Sequence, residues 1–175
     1  FYGGKIEQVI MRFTDIFASI PSLLVSITIA AALGQSLLIM ILAIGIAAVP
    51  AMTRIVRAQV LTVVGQEFVM AGKALGANSA QLIGYHLLPN CVAPMIVQCT
   101  LKVAGAILST SSLSFLGVGI KPPTPEWGNM LSDGRLYMRQ AMHMTVFPGL
   151  AIMITILAFN LMGDGLRDAL DPRMK

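Results

Sequence analysis

Four stretches of this sequence are each long and apolar enough to cross a lipid bilayer as an α-helix. A hydrocarbon core about 30 Å thick requires roughly 20 apolar residues of helix. Only 11% of the residues are charged, whereas a soluble domain carries about 25%, so the composition suits a surface that faces lipid. The four stretches cover residues 9–33, 37–55, 92–115 and 145–162. We therefore predict an all-α polytopic membrane protein with four transmembrane helices, the first of them kinked at Pro21.

The basic residues predict which side of the membrane each loop occupies. Four crossings place both chain ends on the same side. If the two ends and the segment between the second and third helices are cytoplasmic, eight basic residues lie inside and three outside. The eight are Lys5, Arg12, Arg54, Arg57, Lys73, Arg167, Arg173 and Lys175, and the three are Lys121, Arg135 and Arg139. This excess predicts that both ends of the chain are cytoplasmic.

The sequence does not show the patterns of an enzyme, a metal-binding protein or a nucleic-acid-binding protein. The nearest match to a phosphate-binding loop begins at Gly65, but it is two residues too long and lacks the hydroxyl that holds magnesium. His86 and His143 fall on opposite sides of the membrane in this topology. Cys91 and Cys99 share an apolar stretch and are interpreted as buried small hydrophobic residues. We predict no catalytic residue, metal site or cofactor in this chain, and no nucleic-acid partner, because the basic residues form no patch with interleaved aromatics.

The segment between the second and third predicted crossings is long and polar enough to hold structure of its own. Four residues follow the i, i+3, i+4, i+7 spacing of one helical face: Phe68, Ala71, Gly72 and Leu75. Gly76 is suited to end that helix. Asn78 or Ser79 is suited to cap a second helix that runs to about His86. We predict two short helices at the cytoplasmic surface within residues 66–89.

The same segment carries a short pattern of small and apolar residues. Ala71 and Gly76 are followed at a fixed distance by Leu88 and Pro89. This arrangement resembles the cytoplasmic loop of the permeases of binding-protein-dependent ABC importers, whose pattern is Glu-Ala-Ala, three residues, Gly, nine residues, Ile, one residue, Leu-Pro. Three positions depart from it, where the sequence has Met70, Gly72 and His86 in place of Glu, the second Ala and Ile. The sequence leaves open whether Glu67 takes over the role of the missing glutamate.

Two further segments carry a longer resemblance. Residues 112–119 read SLSFLGVG and residues 122–128 read PPTPEWG, which looks like the outer segment of dipeptide, oligopeptide and nickel permeases. Residues 158–161 and 163–173 read AFNL and GDGLRDALDPR, which looks like the C-terminal end of the same permeases. Of the two paired permeases in such systems, the C-type subunit is the most similar, and the resemblance covers essentially the whole chain.

The resemblance implies a type I importer permease whose energy comes from other subunits. An extracytoplasmic solute-binding protein would deliver the solute, and a second permease subunit would complete the pathway. Two ATPase subunits, which bind the ATP and magnesium, would dock on the cytoplasmic loops. The solute is expected to be a di- or oligopeptide, with nickel chelates and glutathione as alternatives. The residues expected to couple to the ATPase are Glu67, Phe68, Ala71, Gly72, Leu75, Gly76, Leu88 and Pro89.

The resemblance also implies one transmembrane domain over residues 1–175, with its coupling loop at 66–89, in the cell (inner) membrane of a bacterium or archaeon. Because the sequence starts at Phe1 without an initiator Met, we expect this domain to lack its N-terminal helices. Two other classes of protein fit less well. An ion-coupled secondary transporter would need inverted repeats and midplane carboxylates, and a non-transporting scaffold would not need a structured inner loop.

The outer loop, residues 117–144, is longer than a bare connection needs. Three prolines, Pro122, Pro123 and Pro125, exclude a regular helix there. We predict that this loop contacts the solute-binding protein or shapes the entrance of the pathway. The alternative is a structural cap over the helix ends.

Lys102 is a charged residue inside the third predicted crossing, ten residues from its start, or about 15 Å along a helix. A cation at that depth costs at least about 2.5 kcal/mol unless water or a partner meets it. Gln98 lies one turn before it and Ser109 two turns after it. We predict that Lys102 and Gln98 face the pathway, with a contact between subunits or a misplaced helix boundary as the alternatives. On the first helix, Arg12 and Asp15 are expected to pair.

Overall fold

The computed structural model describes residues 1–170, which contain helices and no strands. The α-helices of this part of the chain are α1 (Gly4–Ala18), α2 (Ser22–Leu33), α3 (Leu37–Val64), α4 (Glu67–Ala74), α5 (Ser79–Gln81), α6 (Leu88–Phe115), α7 (Trp127–Gly134) and α8 (His143–Leu170). A π-helical segment, Leu82–Leu87, joins α5 to α6, and a 3-10 turn, Arg135–Tyr137, follows α7. The all-α prediction is confirmed. Arg173 and Lys175, which were counted as inner basic residues, lie outside the described residues.

Three helices are long and apolar enough to cross a membrane. They are Leu37–Val64, Ser79–Phe115 and His143–Leu170, the second of which comprises α5, the π segment and α6. A fourth crossing exists only if α1 and α2 count as one bent span. In the most apolar window of each helix, only 17% or 22% of the residues are buried within the chain. Most of the helix surface is therefore left for lipid or for other subunits.

The first predicted crossing is broken and not merely kinked, since α1 and α2 meet at 77°. The backbone N–H of Ser19 donates to the carbonyl oxygens of Asp15 and Ile16, which ends α1. Pro21 has no N–H with which to continue that helix, and it instead occupies the N-cap position of α2. The prediction of one kinked helix over residues 9–33 was therefore wrong, and four uninterrupted crossings are not confirmed.

The central helix is α6, which packs along α8 and also contacts α2, α3 and α7. Gly163 of α8 lies so close to α6 that an added Cβ would be 2.8 Å from the Leu101 side chain. Between α2 and α3, the hydroxyl of Ser26 lies 3.4 Å from the carbonyl oxygen of Ala43. Small residues at such crossings allow membrane helices to approach closely.

Two helices extend well past their predicted ends on the side of the inner loop. The second predicted crossing ended at residue 55, but α3 continues to Val64, and the third span begins at Ser79 instead of residue 92. The 37 residues of Ser79–Phe115 measure about 55 Å at 1.5 Å per residue, against about 30 Å of hydrocarbon. The third span is therefore longer than the hydrocarbon core is thick, and hydropathy alone had marked only the most apolar part of each helix.

The outer loop contains a helix that its three prolines were expected to exclude. Pro125 stands just before α7, and a carboxylate oxygen of Glu126 accepts a hydrogen bond of 2.8 Å from the Asn129 N–H, which caps the helix. α7 then packs against both α6 and α8. At Gly128 an added Cβ would collide with the backbone of Ser111. The prolines therefore exclude helix only before residue 126, and the prediction for the remainder of the loop was wrong.

Candidate coupling loop and pathway cleft

The inner loop rests on the ends of α3 and α6 through a small apolar core. Its buried members are Val63, Val69, Leu82, Leu87 and Cys91. Val69 is the contribution of α4, and its side chain is fully buried. Cys91 is buried as predicted, whereas Cys99 is exposed, so the prediction of burial was wrong for the second cysteine. The core fixes α4 from one side only.

A tight turn at Gly76 ends the first helix of the loop, as the sequence predicted. Gly76 has a φ of 83°, in the left-handed region that favours glycine. The N–H of Gly76 donates to the Lys73 carbonyl oxygen, and the N–H of Ala77 donates to the Gly72 carbonyl oxygen, each at 3.0 Å. These two bonds satisfy carbonyl groups that the end of α4 would otherwise leave free.

The helix after this turn begins at the predicted residue, but it does not end where the sequence predicted. The side chain of Asn78 accepts a hydrogen bond of 2.8 Å from the Gln81 N–H, and the side chain of Gln81 accepts one of 3.0 Å from the Asn78 N–H. This capping box confirms Asn78 as the start. The predicted stop near His86 was wrong, because the π segment continues into α6. Leu88 and Pro89 consequently lie in the first turn of α6.

The two faces of α4 have different surroundings. Gly72 is buried, and an added Cβ would be 3.1 Å from the Leu82 side chain and 3.4 Å from that of His86. Phe68, Ala71 and Leu75 are exposed, and Leu75 has 89% of its surface accessible. The predicted stripe therefore divides, because Gly72 faces the core while Phe68, Ala71 and Leu75 are exposed. The Phe68 ring also lies 6.2 Å from the His86 ring. Of the remaining predicted coupling residues, Glu67, Gly76, Leu88 and Pro89 are also exposed.

Two ion pairs fasten α1 to the inner part of α3, and the sequence did not predict either of them. Arg54 Nη2 lies 2.9 Å from Asp15 Oδ1, and Arg57 Nε donates to Glu7 Oε1 at 2.6 Å. Asp15 thus pairs with Arg54 of α3. The prediction that Asp15 pairs with Arg12 was wrong. Partners 39 and 50 residues apart leave no local signal in a sequence.

Lys102 lines a cleft of about 260 Å³ between α2, α3 and α6. The side chain of Lys102 is exposed, and among residues 1–170 the structure records no carboxylate oxygen within 4.0 Å of it. The other residues that line the cleft are Ser22, Leu23, Ser26, Ile44, Ala47, Ala48, Ala51, Gly105, Ala106, Ser109 and Leu113. Gln98, the second predicted pathway residue, is half-buried on α6 and does not line this cleft.

Lys102 lies near the level of charged residues on the neighbouring helices. It shares its cleft with Ala51, and Arg54 lies only one helical turn further along α3, about 4.5 Å away. Next to Lys102 on α6, Leu101 contacts Gly163, which directly precedes Asp164. The lysine is about 20 Å from the C-terminal end of α6, and its depth inside the third crossing stays a prediction.

Comparison with known proteins assigns this helical arrangement to a family. Residues 1–175 match the family described as "Binding-protein-dependent transport system inner membrane component". The chain belongs to this family. It is thus an inner-membrane component with several membrane-spanning helices.

Several curated relatives of this inner-membrane component are transport permeases. The chain is 48% identical over 175 residues to the dipeptide transport system permease protein DppC of Alkalihalophilus pseudofirmus. It is also 48% identical over 175 residues to the di/tripeptide transport system permease protein DppC of Pseudomonas aeruginosa. It is 43% identical over 175 residues to the glutathione transport system permease protein GsiD of Escherichia coli O157:H7. In each comparison the match covers 100% of this chain and 58% of the relative.

Proposed function

We propose that this chain forms the translocation pathway of a peptide importer and couples it to ATP hydrolysis in a separate subunit. The observation that carries the proposal is the exposed face of α4, whose other face packs against the end of α3 and the π segment before α6. Phe68 and Leu75 supply apolar contacts and Ala71 allows close approach, as in helices that bind in a groove of a partner protein. The coupling residues predicted from the sequence, from Glu67 to Pro89, remain the proposed contacts with the ATPase.

The solute we propose is a di- or oligopeptide. Two relatives at 48% identity are named for dipeptide or di/tripeptide transport, and a relative at 43% identity is named for glutathione transport. Glutathione is therefore the second candidate, and it is itself a small peptide. Nickel chelates, the other alternative suggested by the sequence, are not favoured by any of these names.

The proposed assembly contains a second permease subunit, two ATPase subunits that bind ATP and magnesium, and an extracytoplasmic solute-binding protein. The family description supports dependence on a binding protein. We propose that both ends of the chain and α4 are cytoplasmic, because the basic residues are concentrated on that side. Residues 1–175 would then be one transmembrane domain, with residues 66–89 as its coupling loop.

An ion-coupled secondary transporter is the competing function, and the positions of the acidic groups argue against it. Such a transporter places carboxylates at its central binding site. Here Glu7 and Asp15 are both engaged by arginines at the inner part of α3. The cleft around Lys102 is lined by hydroxyl groups, small residues and the lysine, and no carboxylate is among its described lining residues.

A crosslinking and transport experiment tests the proposed function in the full-length permease, assembled with its partners in proteoliposomes. With Cys91 and Cys99 replaced, the Leu75→Cys variant is expected to crosslink to an ATPase subunit. The matched control is Leu136→Cys, since Leu136 is also an exposed leucine, at 76%, but lies beside the outer loop helix. Labelled dipeptide should enter only with ATP hydrolysis and the binding protein.

Two results would contradict this function. Equal crosslinking of the two variants to the ATPase, or none from Leu75→Cys, would exclude α4 as the docking helix. Peptide uptake driven by an ion gradient in the absence of ATP would exclude the ABC mechanism and support secondary transport.

A further inference from the structure

The cleft around Lys102 combines a positive charge with hydroxyl groups and small side chains. Ser22 comes from the first turn of α2, Ser26 from the next turn, and Ser109 from α6 two turns beyond the lysine. Ser22 is exposed, whereas the hydroxyls of Ser26 and Ser109 already donate to the backbone carbonyl oxygens of Ser22 and Gly105. Hydroxyl and ammonium groups both donate hydrogen bonds. The Lys102 ammonium and the Ser22 hydroxyl are therefore suited to an acceptor, preferably an anion.

The two arginines of α3 nearest to this level are already paired with carboxylates. Arg54 is engaged by Asp15 at 2.9 Å, and Arg57 by Glu7. Among the described residues, Lys102 has no such carboxylate partner within 4.0 Å. A positive charge whose neighbours neutralise one another keeps its full attraction for an incoming anion.

The shape of the cleft also suits a passing solute better than a permanent protein contact. Its α3 wall is built mainly from alanines, namely Ala47, Ala48 and Ala51, and its α6 wall includes Gly105 and Ala106. Short side chains leave room for a guest. They provide few of the large apolar or aromatic anchors that stabilise a buried contact between two proteins.

We propose that Lys102 and Ser22 of this cleft bind a carboxylate group of the peptide during its passage. This inference rests on the proposed function, because it takes the solute to be a short peptide with a free carboxylate. The lysine ammonium donates to the carboxylate oxygens, and the Ser22 hydroxyl supplies a further donor. The level of the site, near Arg54, places it toward the α4 end of the pathway.

Uptake kinetics in the assembled full-length importer test the assignment. The Lys102→Gln variant should take up an unmodified dipeptide about tenfold more slowly at low concentration, which is the loss expected for one charge-assisted hydrogen bond. Lys102→Arg should restore most of the rate because it keeps the charge. Lys5→Gln is the matched control, since Lys5 is an exposed lysine of α1 and its removal should leave uptake unchanged.

Thiol labelling separates a solute site from a contact between subunits. The Lys102→Cys variant, without Cys91 and Cys99, should react with a negatively charged, membrane-impermeant methanethiosulfonate, and dipeptide should protect it during turnover. Aminoethyl methanethiosulfonate should restore uptake, because it rebuilds a side chain that ends in an ammonium group.

Several outcomes would overturn the proposal. They are wild-type uptake by Lys102→Gln, labelling that dipeptide does not affect, and loss of the second permease on purification of Lys102→Gln, which would indicate a subunit contact. If the wild-type importer itself fails to take up dipeptide, the proposed function has failed and not the assignment of Lys102.

Discussion

The inner loop and the outer loop both connect long helices, but they are attached to the molecule in opposite ways. α4 rests on the rest of the chain through one face, with Val69 buried and Leu75 almost fully exposed. α7 packs against two long helices at once, and Gly128 meets the backbone of Ser111. A helix held on one side can be moved by a partner, whereas a helix wedged between two spans moves only with them. The contrast favours the structural cap among the two roles predicted for the outer loop.

The largest expected effect is in the outer loop, at Gly128. Gly128→Ala should destabilise the permease by about 2 kcal/mol or more, because the new methyl group collides with backbone that cannot rotate away. Thermal unfolding of the detergent-purified permease measures the change. Gly84→Ala is the control, since nothing lies within 4 Å of a Cβ added there, and it should leave stability unchanged or raise it by up to about 1 kcal/mol. Equal stability of the two variants would show that α7 is not wedged.

An intermediate effect is expected in the inner loop, and it should appear in the coupling of peptide transport to ATP hydrolysis. Gly72→Leu would push α4 away from the π segment, because even a methyl group at this position approaches Leu82 to 3.1 Å. We expect the peptide transported per ATP hydrolysed to fall about tenfold, which corresponds to a displacement cost of about 1.4 kcal/mol. Membrane insertion should be retained.

The smaller substitution at the same position provides the control. Gly72→Ala should be tolerated, because the end of the flexible Leu82 side chain can shift by a few tenths of an ångström. If Gly72→Leu couples normally, the position of α4 does not govern transport. If Gly72→Ala is equally damaging, the effect arises from local unfolding and not from displacement.

The smallest effects are expected at the two residues that cap the helices of these loops. Asn78 caps the helix after the inner turn, and Glu126 caps α7. Replacement of either residue by Ala should cost about 1 kcal/mol. Hydrogen exchange should show faster opening at residues 79–82 in Asn78→Ala, with reduced coupling. Glu126→Ala should lower thermal stability and leave the ratio of transport to ATP hydrolysis unchanged. Reduced coupling in Glu126→Ala, together with unchanged coupling in Asn78→Ala, would reverse the comparison between the two loops.

The sequence predicted features that are determined by neighbouring residues. Gly76 and Asn78 act within three or four positions of themselves, so the turn after α4 and the start of the next helix were predicted correctly. The continuation of α3 beyond residue 55 was not predicted, because a helix can extend into residues that are no longer hydrophobic. The prediction for the outer loop failed because a proline prevents helix only at the residues next to it. The last of the three prolines precedes Glu126, which already caps a helix.

Features that depend on distant residues could not be predicted in the same way. The pairing of Asp15 with Arg54 joins two helices 39 positions apart, so the local partner Arg12 was chosen wrongly. Gly72 faces the core because Leu82 packs against it. Since Leu82 comes after the turn that follows α4, the sequence of α4 alone does not show which of its faces is buried. Of the two candidate pathway residues, only Lys102 lines the cleft between α2, α3 and α6. The cleft that surrounds it and the separation of Gln98 from that cleft depend on how α2, α3 and α6 pack.

The continuous helix from Ser79 to Phe115 also sets the scale of any motion that begins at the inner loop. Lys102 lies 15 residues beyond Leu87, the last residue of the π segment, so about 22 Å of helix separates that segment from the lysine. A rod pivoted at one end converts a small angle into a larger displacement at the other. A tilt of about 10° at the π segment would shift Lys102 sideways by about 4 Å. This lever is long enough to open or close the cleft without any helix having to unfold.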